Sequence, residues 1–213
     1  MTTRSAPAAP HTPRFIELLV EPERALPRLE SRPTTLSLIG FPAVSGIFVA
    51  YTVAKGLALG DAYGFPFVAA VVVLGGAVLG VIALWFAGSM PNWSVPLDDA
   101  AEAETAKMFV LFSEATWPFL PLLLILVPLD LYYHGTAVFS AVRGTPPAAV
   151  VWLDRGLVLG AIALWLIMVV RGTAVARHES ESRAAREVLR WGAELLAIAV
   201  LFGLILAASL LYW

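Results

Sequence analysis

Long apolar runs, rather than short alternations, dominate the chain from Thr35 to its last residue. A helix rises about 1.5 Å per residue, so about 20 apolar residues cross a hydrocarbon core of roughly 30 Å. Runs of that length occupy about 35–54, 65–87, 109–133, 150–170 and 192–213. The second, from Phe65 to Ala87, holds no charge. The third carries Glu114, Asp130 and prolines at 118, 121 and 128, which predicts a kinked span, because neighbouring helices in lipid can satisfy the freed carbonyls. The fourth opens with Asp154 and Arg155 in its first turns. The pattern predicts an all-α, polytopic integral membrane helix bundle of five transmembrane helices with short interfacial amphipathic helices. An odd number of crossings places the termini on opposite sides.

Two parts are expected: an N-terminal segment, 1–34, and a membrane domain, 35–213. In the first, Phe15, Ile16, Leu18, Leu19, Pro22, Leu26 and Leu29 recur at helix-like intervals. One face is therefore expected to lie on the leaflet as a lead-in to span one, rather than to form a docking site. Pro22 suits a first helical position, whereas Pro27 argues against one smooth helix. Between spans two and three, Asp98 or Asp99 can cap a helix through Ala100 to Phe112. Its acids are Asp98, Asp99, Glu102 and Glu104; the i, i+2 spacing of Glu102 and Glu104 spreads those two over different faces, and the run is expected as a solvated segment rather than a cation site. The connection before the last span mixes arginines with Glu179, Glu181 and Glu187 and reads as a surface helix, its acids diluting any attraction to anionic lipid.

Composition removes several alternatives. Of 213 residues 59% are hydrophobic and 14% charged, with a mean hydropathy of +0.81, outside the range of an ordinary water-soluble globule. A net charge of -2 argues against nucleic-acid binding, and the lack of cysteine excludes disulfides, thiolate nucleophiles and cysteine-ligated metals. Charge distribution sets the orientation. Arg4, Arg14, Arg24, Arg28, Arg32, Lys107, Arg171, Arg177, Arg183, Arg186 and Arg190 fall on one side, leaving Lys55, Arg143 and Arg155 opposite. The N-terminus is therefore expected in the cytoplasm and the C-terminus across the membrane. Trp85, Trp117 and Trp191 are expected at the inner boundary, Tyr132, Tyr133, Trp152, Tyr212 and Trp213 at the outer one, with Trp165 deep in span four.

Ionisable groups inside a bilayer are costly and are candidates for function. Asp130, ending span three, and Arg155, opening span four, are expected to pair as a structural clamp. Glu114 and Glu194 near the inner boundary suggest a polar site, with Arg190 four residues before Glu194 as an ordinary partner. His11, His134 and His178 show no metal-ligand spacing, and no G-x-S-x-G, P-loop or G-x-G-x-x-G signature occurs. No catalytic residue, metal or cofactor is expected. The pairs Gly56/Gly60, Gly76/Gly80 and Gly156/Gly160 have the spacing that lets helices approach closely in lipid, within one chain first and in self-association second.

The segment F-I-x-L-L-x-x-P-x-x-A-L-P-R-L (Phe15 to Leu29), the pair Arg32–Pro33 and W-P-F-L-P-L-L-L (Trp117 to Leu124) in span three resemble the Yip family. These are five-span, Ypt/Rab-interacting membrane proteins, here in prokaryotic form. The resemblance implies a membrane-embedded scaffold or accessory subunit, without enzymatic activity, that binds a membrane-protein partner or itself. The sequence lacks the long cytosolic arm and the D-L-Y-G-P element of eukaryotic relatives, which argues against binding a small GTPase. Arginine outnumbers lysine and alanine is abundant, which favours a bacterial inner membrane over Golgi. The alternative function is a small-solute or proton-coupled transporter.

Overall fold

The computed structural model describes residues 14–31, 36–89, 99–194 and 197. Every regular element among them is helical. Two short helices, α1 (Arg14–Val20) and α2 (Pro22–Ser31), precede α3 (Phe41–Gly56), which is entered through a π-turn at Leu36–Gly40. A single turn, α4 (Gly60–Tyr63), leads into α5 (Phe65–Ser89). Then come α6 (Asp99–Ala115), α7 (Phe119–His134), a 3-10 turn at Gly135–Phe139 and α8 (Ala148–Ala176). Residues 181–194 form a last helix, α9. Four stretches are long and apolar enough to cross a membrane: Leu38–Gly56, Phe65–Ser89, Glu104–Phe139 and Ala148–Ala176. They match the first four predicted spans. The fifth, 192–213, lies outside the described residues beyond Glu194, residue 197 excepted.

The four membrane-length stretches run alternately up and down, α6 and α7 together making the third. One end of the bundle, rich in arginine, holds α1, α2, α9 and the start of α6; the far end holds α4 and residues 135–147. α3 and α5 pack most closely, because Gly46 faces Gly76 and Gly80. A Cβ on Gly46 would lie 2.5 Å from Gly80 Cα, and one on Gly76 would lie 2.8 Å from Ile47 Cα. Those distances leave no room for any side chain, and in lipid such backbone approach replaces the hydrophobic drive that water would supply. Elsewhere Gly88 meets the Phe109 backbone of α6, and Gly172 of α8 receives Leu111. The other predicted glycine pairs behave differently. Gly156 and Gly160 face open space, as does Gly56, while Gly60 accommodates Phe139.

Span three is broken rather than merely kinked. α6 stops at Ala115 and α7 starts at Phe119. Pro118 and Pro121 have no N–H for the carbonyls of Glu114 and Trp117, four residues before each. Those carbonyls are instead bound by Trp117 N–H at 3.2 Å and Leu120 N–H at 3.0 Å, a tightened turn of 3-10 type. Pro128 is carried inside α7 without a break.

Much of the apolar face of α1 and α2 turns into the bundle, with Ile16 left exposed. Leu18, Ala25 and Leu26 are buried in one cluster with Met108, Leu111, Met168, Val169, Val188 and Trp191 from α6, α8 and α9. The expectation of a lead-in packed on lipid is thus corrected: the face finds apolar partners within the chain. Pro22 opens α2 as expected, whereas Pro27 sits within that helix, its orphaned Glu23 carbonyl belonging to an exposed residue that water can reach.

Candidate functional site

At the far end, the predicted Asp130–Arg155 clamp is replaced by another. Asp130 Oδ2 accepts from Lys55 Nζ at 2.5 Å and from Tyr51 Oη at 2.6 Å, tying α7 to α3. Arg155 stands instead with its guanidinium over the Trp152 ring, 5.8 Å from the centroid. The reason is helical facing: Tyr51 and Lys55, four apart, share the face of α3 turned to α7, while Arg155 is on the exposed side of α8. Charge distribution puts Lys55 at the end opposite the arginines, as in the structure, and its i+4 relation to Tyr51 is the signal the sequence carries. Arg143 closes the arrangement by donating to the Lys55 carbonyl at 2.9 Å and the Val138 carbonyl at 3.2 Å.

The segment after α7 folds inward over this tie. Val138 and Phe139 are buried, with Phe139 edge-on to Tyr51 and stacked against Phe65, ring centroids 5.6 and 5.8 Å apart. Asp61 holds the segment's end, accepting from the Ser140 hydroxyl and from the Ala141 N–H at 2.8 Å. Those two donors stabilise its charged form and keep its pKa below the usual carboxylate range.

Glu114 lies beside the break between α6 and α7 and is 3% exposed. Its neighbours in sequence, Ser113, Ala115 and Thr116, are buried too. Glu194, in contrast, is exposed on α9 and bound by Arg190 at 3.4 Å, the ordinary i,i+4 partner. The two carboxylates therefore have opposite environments: one in the protein interior, the other in solvent.

The arginine-rich end is cross-linked by ion pairs. Arg177, just after α8, binds Glu104 of α6 at 2.6 Å and Glu187 of α9, and stands over the Trp191 ring at 5.6 Å. Burial disfavours its charge, but the two carboxylates more than offset this and raise its pKa. Trp191 is consequently no boundary anchor; it is 3% exposed and also packs on Phe112. Trp85, Tyr132 and Trp152 are exposed. Arg171 donates to the Leu19 carbonyl and pairs with Glu181 at 3.4 Å, pinning α1 to α8. Charge distribution along the chain puts these residues on one side but does not specify their partners.

Between α3 and α5 an open apolar groove of about 580 Å³ follows the glycine contact, bounded by Val49, Val53, Phe67, Val71, Ala83 and, from α6 and α8, Phe112 and Trp165. Among the described residues no group of three or more histidines and carboxylates is placed to hold a metal. No family model, curated protein or solved structure matches the chain. The likeness to the Yip family accordingly rests on the Phe15–Leu29, Arg32–Pro33 and Trp117–Leu124 motifs alone.

Proposed function

We propose that the protein is a membrane-embedded scaffold or accessory subunit of Yip type that binds another membrane protein. The observation that carries this reading is the open apolar groove between α3 and α5, whose walls, Val49, Val53, Phe67 and Val71 among them, are shaped to take a helix of another membrane protein. The Lys55–Asp130 pair supports it as well, since the two charges neutralise each other in a structural tie. In native purification with mild detergent, a stoichiometric partner is expected to stay bound, and Ala83→Trp, in the α3/α5 groove, should weaken its retention. A chain that purifies alone from its native membrane would overturn the reading.

Transport is the second reading, favoured by one feature: a buried carboxylate, Glu114, next to an interrupted membrane helix. Discontinuous helices are where transporters place their ion and substrate sites. Reconstituted protein that moves protons or a solute, with flux lost in Glu114→Gln, would select transport over scaffolding.

A further inference from the structure

We infer that the outward face of α9 is a docking surface for anionic phospholipid headgroups at the arginine-rich end of the bundle. At 3.6 residues per turn, Ala184, Val188 and Trp191 share one side of α9, and all three are buried against the bundle. The other side carries Arg183, Arg186 and Arg190, all exposed and in one row at i, i+3 and i+7.

In sequence these arginines are diluted by glutamates, but the fold takes most of those acids away from the row. Glu187 is turned inward onto Arg177, Glu181 is bound to Arg171, and Glu179, only 18% exposed, sits against Arg183. Arg186 has no ion pair among the described residues, and Arg190 has only the solvent-exposed Glu194 at 3.4 Å. Such an exposed pair is weak, and a phosphate group can displace it. With Arg183 held by Glu179, it is Arg186 and the weakly paired Arg190 that offer guanidinium groups to phosphate.

The place of the helix selects the source of that phosphate. α8 ends as an apolar span at Ala176, and residues 177–180 connect it directly to α9, so α9 starts at the level where the hydrocarbon ends. Beside the arginines Leu189 is 67% exposed. A large apolar side chain next to a row of guanidinium groups suits a leaflet surface, where Leu189 enters the acyl boundary while the arginines hold headgroups. The same surface on a soluble partner would need a complementary acidic protein.

The inference holds whether or not the α3/α5 groove takes a partner; it requires only that the protein is embedded in a membrane. Its test is native mass spectrometry of the purified full-length protein in non-ionic detergent, titrated with phosphatidylglycerol, with phosphatidylcholine of the same chains, and with inorganic phosphate. Phosphatidylglycerol should be retained over phosphatidylcholine, and its affinity should fall about fivefold for each of Arg186→Gln and Arg190→Gln at unchanged thermal stability. In the unaltered protein, raising the salt to 1 M should suppress the same preference. Equal retention of the two lipids, or a double variant that binds phosphatidylglycerol like the wild type, would overturn the proposal. So would inorganic phosphate binding as tightly as the lipid, since the face would then serve a free anion.

Discussion

Asp130 shows what a single residue contributes here. Two donors from α3 hold its carboxylate, whose side chain is 14% exposed against 21% for Lys55. Breaking a fully buried pair costs about 3–5 kcal/mol, so at this partial exposure Lys55→Met is expected to cost about 2 kcal/mol. A double-mutant cycle of Lys55→Met with Asp130→Asn in detergent should show a coupling of about 1–3 kcal/mol, whereas Arg155→Gln with Asp130→Asn should be additive to about 0.5 kcal/mol. The opposite pattern would restore the Arg155 clamp. Asp61 makes a pH-dependent contribution. Its folded pKa is depressed, so its hold on Ser140 and Ala141 is fully present above the unfolded carboxylate value of about 3.9 and is lost as pH falls through the lower folded value. Hydrogen exchange should accordingly find the Ala141 amide protected at neutral pH and down to about pH 4, opening only in stronger acid; Asp61→Asn should remove the pH dependence of that protection. The existence of charged residues at these boundaries was legible in the sequence, but their partners were not, because Asp130 has Lys55 and Arg155 both within plausible reach until helix rotation is known.

Among the elements, the α3/α5 pair and the broken third span carry the most information. Backbone contact across Gly46, Gly76 and Gly80 leaves no space for a methyl group, so Gly46→Ala or Gly80→Ala should destabilise the solubilised protein by about 1–3 kcal/mol through overpacking. Gly156→Ala and Gly160→Ala point into open space and should change stability by less than about 0.5 kcal/mol. Thermal unfolding in detergent distinguishes the two classes, and equal losses would place a packed partner on α8. Spacing alone marked three glycine pairs as equivalent. Only Gly76/Gly80 packs as a pair against a second helix, because a glycine opposite it, Gly46, lets the other backbone approach; Gly60 meets Phe139 alone, and Gly56, Gly156 and Gly160 face open space. The interruption of span three has a different standing. Pro118 and Pro121 foretold missing hydrogen bonds, but the short turn that replaces them was decided by the N–H groups of Trp117 and Leu120, which could rotate to the vacant carbonyls.

At the scale of the molecule, the two ends have different constructions. The far end is closed by an apolar plug, Val138 and Phe139, over one ion pair, while the arginine-rich end is laced by Arg171 and Arg177 to α1, α6 and α9. The sequence by itself determined the all-helical class, the first four membrane-length stretches and the gathering of arginine on one side. Those follow from local quantities: run length, proline and charge, each summed along the chain without knowing what lies beside it. Tertiary structure alone decided that Leu18, Ala25 and Leu26 of α1 and α2 pack into the bundle, that Trp191 is core, and that Glu187 turns inward onto Arg177 while Arg183, Arg186 and Arg190 stay outside. Each of those depends on which face of a helix meets which neighbour, and a rotation of 100° per residue lets the same sequence offer any of several faces until packing chooses one.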